Sequence, residues 1–195
     1  TNAGSRNWIS IASSSDGTKL AAVVYVGGYI YTSSDSGVTW AQQTNAGSKN
    51  WILIASSSDG TKLAAVIYGG YIYTSSDSGV TWAQQTGSGN RSWYSIASSS
   101  DGTKLAAVDF DYIYTSIDSG VTWAQQTNAG SRNWISIASS SDGTKLAAVV
   151  YGGYIYTNNS AAATGYTVNG TDLNQIFAPL TSTSTAIVTG YNVLI

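Results

Sequence analysis

Four near-copies of one segment constrain this chain more than any other feature. Trp8, Trp51, Trp93 and Trp134 each open a unit, spaced 43, 42 and 41 residues apart. Asp16, Asp59, Asp101 and Asp142 recur at the same spacings. A tandem period of about 40–45 residues fits a sheet of four short strands repeated along the chain.

The first unit divides into four extended runs. Residues 8–12 alternate Trp-Ile-Ser-Ile-Ala, and Ser15-Asp16-Gly17-Thr18 then gives an Asp-Gly hairpin signal, because glycine accepts positive φ without a Cβ clash. A Val-rich run spans residues 19–25, and a turn at Gly27-Gly28 leads into an aromatic run at residues 29–33. A polar corner precedes the fourth run at residues 38–43. Alternation, β-branched and aromatic residues and closely spaced turns predict antiparallel β-structure, with no helical periodicity in residues 1–157. The turn between the second and third runs shortens from Val26-Gly27-Gly28 to Gly69-Gly70 and becomes Asp109-Phe110-Asp111 in the third unit.

The polar corner, Ser-x-Asp-x-Gly-x-Thr-Trp, occurs three times. It is carried by Asp35, Gly37 and Trp40, then by Asp77, Gly79 and Trp82, then by Asp118, Gly120 and Trp123. It resembles the Asp-box of the bacterial neuraminidase repeat, which in that family is a hairpin corner between the outer strands of a propeller blade. The resemblance implies an all-β, four-repeat β-propeller of four-stranded antiparallel blades, either closed or an open arc, over residues 1–157. Units of 1–44, 45–86, 87–127 and 128–157 follow, with a C-terminal tail or assembly segment at 158–195. It also raises sialidase chemistry, which in that family needs a Tyr nucleophile activated by Glu.

Composition bears on that chemistry. The 195 residues contain no Cys and no His, and all ten acids are Asp, so Glu is absent. No Ser-His-Asp set, thiolate site or ordinary zinc site can be built, and we expect no enzyme activity, no cofactor and no metal. Asp109 and Asp111 are the one acid pair outside the repeat pattern. In an extended segment they share a face and could approach a hard cation given further ligands, but a locally substituted loop accounts for them. Charged residues make up 9% of the chain and the net charge is −2, giving no attraction to nucleic acid or an anionic membrane. No apolar run reaches the length of a membrane span. Sequons at Asn90, Asn158 and Asn169, and a first residue other than Met, suggest a processed, glycosylated protein at an extracellular, cell or virion surface.

Aromatic residues carry the remaining signal, with 14 Tyr and 7 Trp. The tryptophans read as packing between blades. Tyr25 and Tyr29, Tyr68 and Tyr71, and Tyr151 and Tyr154 flank the turns between second and third strands. In an up-and-down blade those turns share an end with Arg6, Lys49, Arg91 and Arg132. Aromatic platforms beside cationic and amide donors suit sugars, and four copies would give avidity.

The fourth unit stops after its third strand, leaving residues 154–157 as an open edge, which proteins avoid. The tail differs in composition and resembles units in surface or virion proteins of large algal viruses and microbes, through Thr164-Gly-Tyr-Thr-Val-Asn-Gly-Thr-Asp172 and Ile176-Phe177. It contains a tight turn at residues 168–171 and a single helical turn at residues 172–177. Its apolar end, residues 186–195, is a candidate for the missing strand, within the chain or in a neighbour. The expectation is a non-enzymatic structural protein that self-associates by strand exchange, even into a filament. A multivalent glycan-binding propeller is the alternative.

Overall fold

In a computed structural model of the chain, residues 3–158, 167–168 and 171–172 are described. Among the described residues every regular element beyond isolated turns is a β-strand. The first unit is β1 (Trp8–Ser13), β2 (Leu20–Val24), β3 (Ile30–Ser33) and β4 (Ala41–Gln43). The second is β5 (Trp51–Ser56), β6 (Leu63–Gly70), β7 (Ile72–Ser75) and β8 (Ala83–Gln85). The third is β9 (Arg91–Ser98), β10 (Leu105–Asp109), β11 (Ile113–Ser116) and β12 (Ala124–Gln125). The fourth is β13 (Trp134–Ser139), β14 (Leu146–Val150) and β15 (Ile155–Thr157). Strands within a unit pair in sequence order, always antiparallel. In the tail, β16 (Thr167–Val168) and β17 (Thr171–Asp172) pair antiparallel.

Two details depart from the sequence reading. The fourth strand of each complete unit begins later than expected, at Ala41 rather than residue 38. The backbone N–H and hydroxyl of Thr39 are held by Asp35 at 2.8 and 2.6 Å, so Val38-Thr39-Trp40 belongs to the corner. In addition, single 3₁₀ turns at Thr44–Ala46, Thr86–Ser88 and Thr127–Ala129 carry the chain from one unit to the next. Each is only three residues long, too short to leave a periodic pattern. Among the described residues β15 pairs only with β14. The proposed donor segment, residues 186–195, and the expected helical turn beyond residue 172 lie outside the described residues.

A four-stranded sheet of about 40 residues cannot enclose a core by itself, and the buried side chains accordingly lie between units. Val23 and Ile30 of the first unit meet Trp51, Ile54, Leu63 and Tyr73 of the second. Val66 and Ile72 meet Trp93, Ile96, Leu105 and Tyr114 at the next junction. Val108 and Ile113 meet Trp134, Ile137 and Leu146 at the third. Each sheet therefore has a forward face, built from its second and third strands, and a backward face, built around the strand-opening Trp and an Ile three residues later. At about 1.5–3 kcal/mol for each fully buried large apolar side chain, these junctions hold the array together.

Backbone hydrogen bonds lock the register between units at both ends of the sheets. At one end Ser15 N–H donates to Ser58 O, Ser58 N–H to Ser100 O, and Ser100 N–H to Ser141 O, at 2.7, 2.8 and 2.7 Å. At the other end Gly28 and Lys49 exchange bonds at 3.1 and 2.9 Å. There β6 pairs with β9 through Tyr68 opposite Ser92 and Gly70 opposite Arg91, and Arg132 N–H donates to Asp111 O at 3.0 Å.

Glycines at the polar corner fit between units. Gly79 has φ +89°, and a Cβ there would lie 2.7 Å from Thr32 Cγ2 of the preceding unit and 3.2 Å from Leu63 Cδ1. Gly69 also has positive φ, +70°, but open space around it. Gly69→Ala should therefore cost about 1 kcal/mol, the backbone term alone, and Gly79→Ala roughly 2–4 kcal/mol as the junction is forced apart. Chemical denaturation of the two variants measures the difference, and equal losses would contradict the packing described.

Candidate functional site: an aromatic rim beside cation–aromatic stacks

The polar corners are self-contained hydrogen-bond cages. Ser33 Oγ donates to Asp35 Oδ1 at 2.8 Å and accepts from Gly37 N–H at 2.9 Å, while Trp40 Nε1 donates to Gly37 O at 3.0 Å. The same set recurs around Asp77, Gly79 and Trp82 and around Asp118, Gly120 and Trp123. Ser36, Ser78 and Ser119 sit at φ 57–60°, a strained setting that the cage over-determines. A second kind of cage closes the first hairpin of each unit. Ser14 Oγ donates to Asp16 Oδ1 at 2.6 Å and accepts from Lys19 N–H at 3.0 Å.

These bonds act on the charged carboxylates. The Ser14 hydroxyl, followed by Thr18, holds Asp16 down at about 2. Asp59, Asp101 and Asp142 are lowered in the same way by Ser57, Ser99 and Ser140. Thr39 and Thr81 lower Asp35 and Asp77. At Asp118 burial pushes upward, but hydrogen bonds from Thr122 and Ser116 outweigh it.

The four cations expected beside the turn tyrosines stack elsewhere. Arg6 lies 4.8 Å over the ring of Tyr31, Lys49 5.1 Å over Tyr73, Arg91 4.4 Å over Tyr114 and Arg132 4.8 Å over Tyr156. Each of these rings also meets the edge of its unit's first Trp, with centroids 5.1–5.3 Å apart. The third-strand tyrosines thus lie between a cation and an indole, which engages all four cations in packing. The turn tyrosines are tied through the backbone to the asparagine that follows each cation. Tyr25, Tyr68 and Tyr151 N–H donate to Asn7, Asn50 and Asn133 O at 2.9, 3.1 and 2.9 Å.

What gathers at that end is a set of rings. Tyr25, Tyr68 and Phe110 are 39%, 50% and 40% exposed, one from each of the first three units. Tyr94 joins them, its ring 6.0 Å from Tyr68 edge to face and 5.3 Å from Phe110. Burial, with the neighbouring phenols of Tyr68 and Tyr25, raises the Tyr94 hydroxyl above its ordinary range. Tyr94 stands where the other units have Ile9, Ile52 and Ile135. In the third unit that position is the bulge between Trp93 and Ser95, which re-aims a side chain. Tyr29 and Tyr71 are half-buried, Tyr71 against the first junction, while Tyr151 and Tyr154 are exposed on the fourth unit.

Asp109 is not a free carboxylate. It is buried, its Oδ1 accepts from Asp111 N–H at 2.9 Å and Tyr112 N–H at 2.6 Å, and its Oδ2 lies 3.6 Å from Arg91 Nη1. It caps the turn that carries Phe110. Burial first, and Asp109 second, push the Tyr114 hydroxyl to about 12. Asn90 is exposed at a bend. Asn158 has an engaged amide, its Nδ2 donating to Thr144 O at 2.9 Å and its Oδ1 accepting from Leu146 N–H. That first bond replaces the one that Ser36 makes to Thr18 O in the first unit. Asn169 lies outside the described residues.

Two further grooves repeat, at about 340 Å³ between the first and second units and 330 Å³ between the second and third. Trp40 and Gln43 line one, and Trp82 and Gln85 line the other.

Solved structures share this architecture. A GH74 enzyme of Niastella koreensis superposes with a TM-score of 0.61 at 18% identity, over 77% of this chain and 22% of its own. A GH74 xyloglucanase of Xanthomonas campestris gives 0.57 at 18% identity, over 72% and 25%. YCF48 bound to a D1 peptide gives 0.57 at 19% identity, over 78% and 49%. No protein-family model and no curated protein matches the chain. At these identities the likeness is one of fold, an all-β antiparallel array of the propeller type, and this chain spans between about a fifth and a half of the proteins it resembles. The expectation that such a chain is not an enzyme is corrected by the same finding. The fold is one that glycoside hydrolases use. Their chemistry needs a carboxyl pair, which Asp supplies as well as Glu, so a chain without Glu is not thereby excluded.

Acid sensitivity follows from the caged carboxylates. Their folded-state pKa values lie below the unfolded value near 3.8, so the unfolded state binds more protons in that window. Stability should be level from about pH 5 to 8, with no His to titrate, and should fall progressively from about pH 4 to 2. Asn replacements at Asp35, Asp77 and Asp118 should flatten that fall. Denaturant midpoints measured across the range test it.

Proposed function

We propose that the units are blades of a propeller, their corners Asp-boxes, and that the aromatic rim of the first three blades binds neutral polysaccharide. The observation that carries this reading is the row of Tyr68, Tyr94 and Phe110, in mutual ring contact yet partly open to solvent. Partly exposed rings held rigid by one another lose little conformational freedom on binding and offer flat apolar faces to the C–H faces of sugar rings. Phenolic hydroxyls at the margin supply donors and acceptors. Arg91 and Asp109 face each other, and Asp111 beside Phe110 is an exposed carboxylate, so the rim favours an uncharged glycan over an anionic one.

The fold likeness to a xyloglucanase supports a polysaccharide as the ligand class. A platform spread over several blades suits an extended chain better than a single sugar. Such a ligand also agrees with an extracellular or cell-surface setting.

Affinity electrophoresis in gels containing xyloglucan, another neutral β-glucan or polygalacturonate tests this. The neutral polymers should retard the protein and the anionic one should not. Tyr68→Ala and Phe110→Ala should each weaken retardation about fivefold to tenfold, with melting temperatures close to that of the parent. Equal mobility in all gels would overturn the assignment.

A further inference from the structure

The two ends of the unit array expose the two halves of the junction that is closed three times inside it. On the backward face, Ile54, Ile96 and Ile137 are buried at 3–6% exposure, whereas their counterpart Ile11 in the first unit is 61% exposed. Trp51, Trp93 and Trp134 are fully buried, while Trp8 is only half-buried. On the forward face, Ile30, Ile72 and Ile113 are fully buried, whereas Ile155 of the fourth unit is 73% exposed. Val23, Val66 and Val108 are buried, and Val149 is half-buried.

Polar features stop at the same places. In the serine ladder Ser15 N–H is used and Ser141 O is used. Among the described residues Ser15 O and Ser141 N–H are the next acceptor and donor in line. Inside the array the lysine of one unit covers the hairpin glycine of the next. A Cβ on Gly60, Gly102 or Gly143 would lie 2.7 Å from Lys19, Lys62 or Lys104 respectively. Gly17 has open space around it and Lys145 is exposed. Consistently, Lys19, Lys62 and Lys104 help to lower Asp59, Asp101 and Asp142, and no lysine contributes at Asp16.

We propose that the first unit of one copy docks on the fourth unit of a second copy, face to face, reproducing the internal junction between chains. Ile155 and Val149 of one copy would cover Trp8 and Ile11 of the next, Lys145 would lie over Gly17, and Ser15 O would accept from Ser141 N–H. A second copy is the occupant because its opposite end carries the same Val and Ile, or Trp and Ile, that close each internal junction. This differs from strand exchange: the contact is between sheet faces, and no strand leaves its unit. Head-to-tail contacts of this kind close into a ring or extend into a polymer.

Sedimentation velocity on the full 195-residue chain from about 1 to 100 µM, spanning ordinary weak-to-moderate affinities, tests the proposal. The parent should form dimers or larger species as concentration rises. Ile11→Asp and Ile155→Asp should each weaken association at least tenfold, and an equimolar mixture of the two should recover a dimer, since each retains one intact face. Ile11→Thr and Ile155→Thr give the same ordering with smaller shifts if an aspartate prevents folding, which circular dichroism reports. A parent that stays monomeric throughout, because residues 159–195 or anything else covers a face, overturns the proposal. So does association that both aspartate variants leave unchanged, or variants that recover nothing on mixing.

Discussion

The burial of one sheet's Val and Ile against the next sheet's Trp and Ile is the interaction on which the rest of this molecule depends. Each unit contributes half of a core and is completed only by its neighbour. Val23 and Ile30 have no interior of their own to enter and are buried by Trp51 and Ile54. This gives the array the energetics of a one-dimensional stack, where stability is a sum of unit terms and junction terms. It also explains why the sequence varies so little at junction positions across the three complete units. The Leu-Ala-Ala-Val run serves two junctions, because alternate residues face opposite neighbours: Leu63 and Ala65 the first, Ala64 and Val66 the second.

Some differences between units touch a junction, Leu53 packing against the second and Tyr94 against the third. Asp109, Phe110 and Tyr94 are the prominent substitutions in the third unit, and all lie at the end where second and third strands turn. Asp109 takes a position held by Val24, Ile67 and Val150. A buried carboxylate there requires compensation, which Arg91 and two backbone N–H groups supply. Its role is to hold the shortened turn and thereby Phe110. The rim is thus a local departure built on a repeated frame, the usual relation between a binding surface and a scaffold.

Much of the frame was legible because repetition multiplies weak signals. One Asp-Gly turn between alternating runs is an ordinary hairpin signal, but four at a fixed period identify a repeated sheet. Strand order and antiparallel pairing followed. The start of the fourth strand did not, because Thr39 has good β-propensity and only the geometry of Asp35 reveals it as a corner residue. The aromatic assignments split for a similar reason. Periodicity correctly located the turn tyrosines but could not say which ring a flexible Arg6 or Lys49 would cover. Tyr31, Tyr73, Tyr114 and Tyr156 take those cations because they are neighbours across strands, not along the chain. Tyr94 carried a readable signal that pattern-matching discards: it breaks a repeat of Ile.

The fourth unit shows how far a junction can stand in for a missing strand. It lacks a polar corner within the described residues, yet β13 and β14 keep the register of the complete units. Asn158 restores one bond of the absent corner by donating to Thr144 O. The cost appears in packing rather than pairing. The groove at the third junction shrinks to about 10 Å³ from the 330–340 Å³ of the other two. Ser78 and Val80, then Ser119 and Val121, wall the two larger grooves from the following unit, and the fourth unit has no corner among the described residues to supply that wall. A unit can therefore shed its outermost strand and still be held, since the residues that bind it to its neighbour sit on the first three. Among the described residues, the two large grooves between outer strands lie where both flanking units are complete.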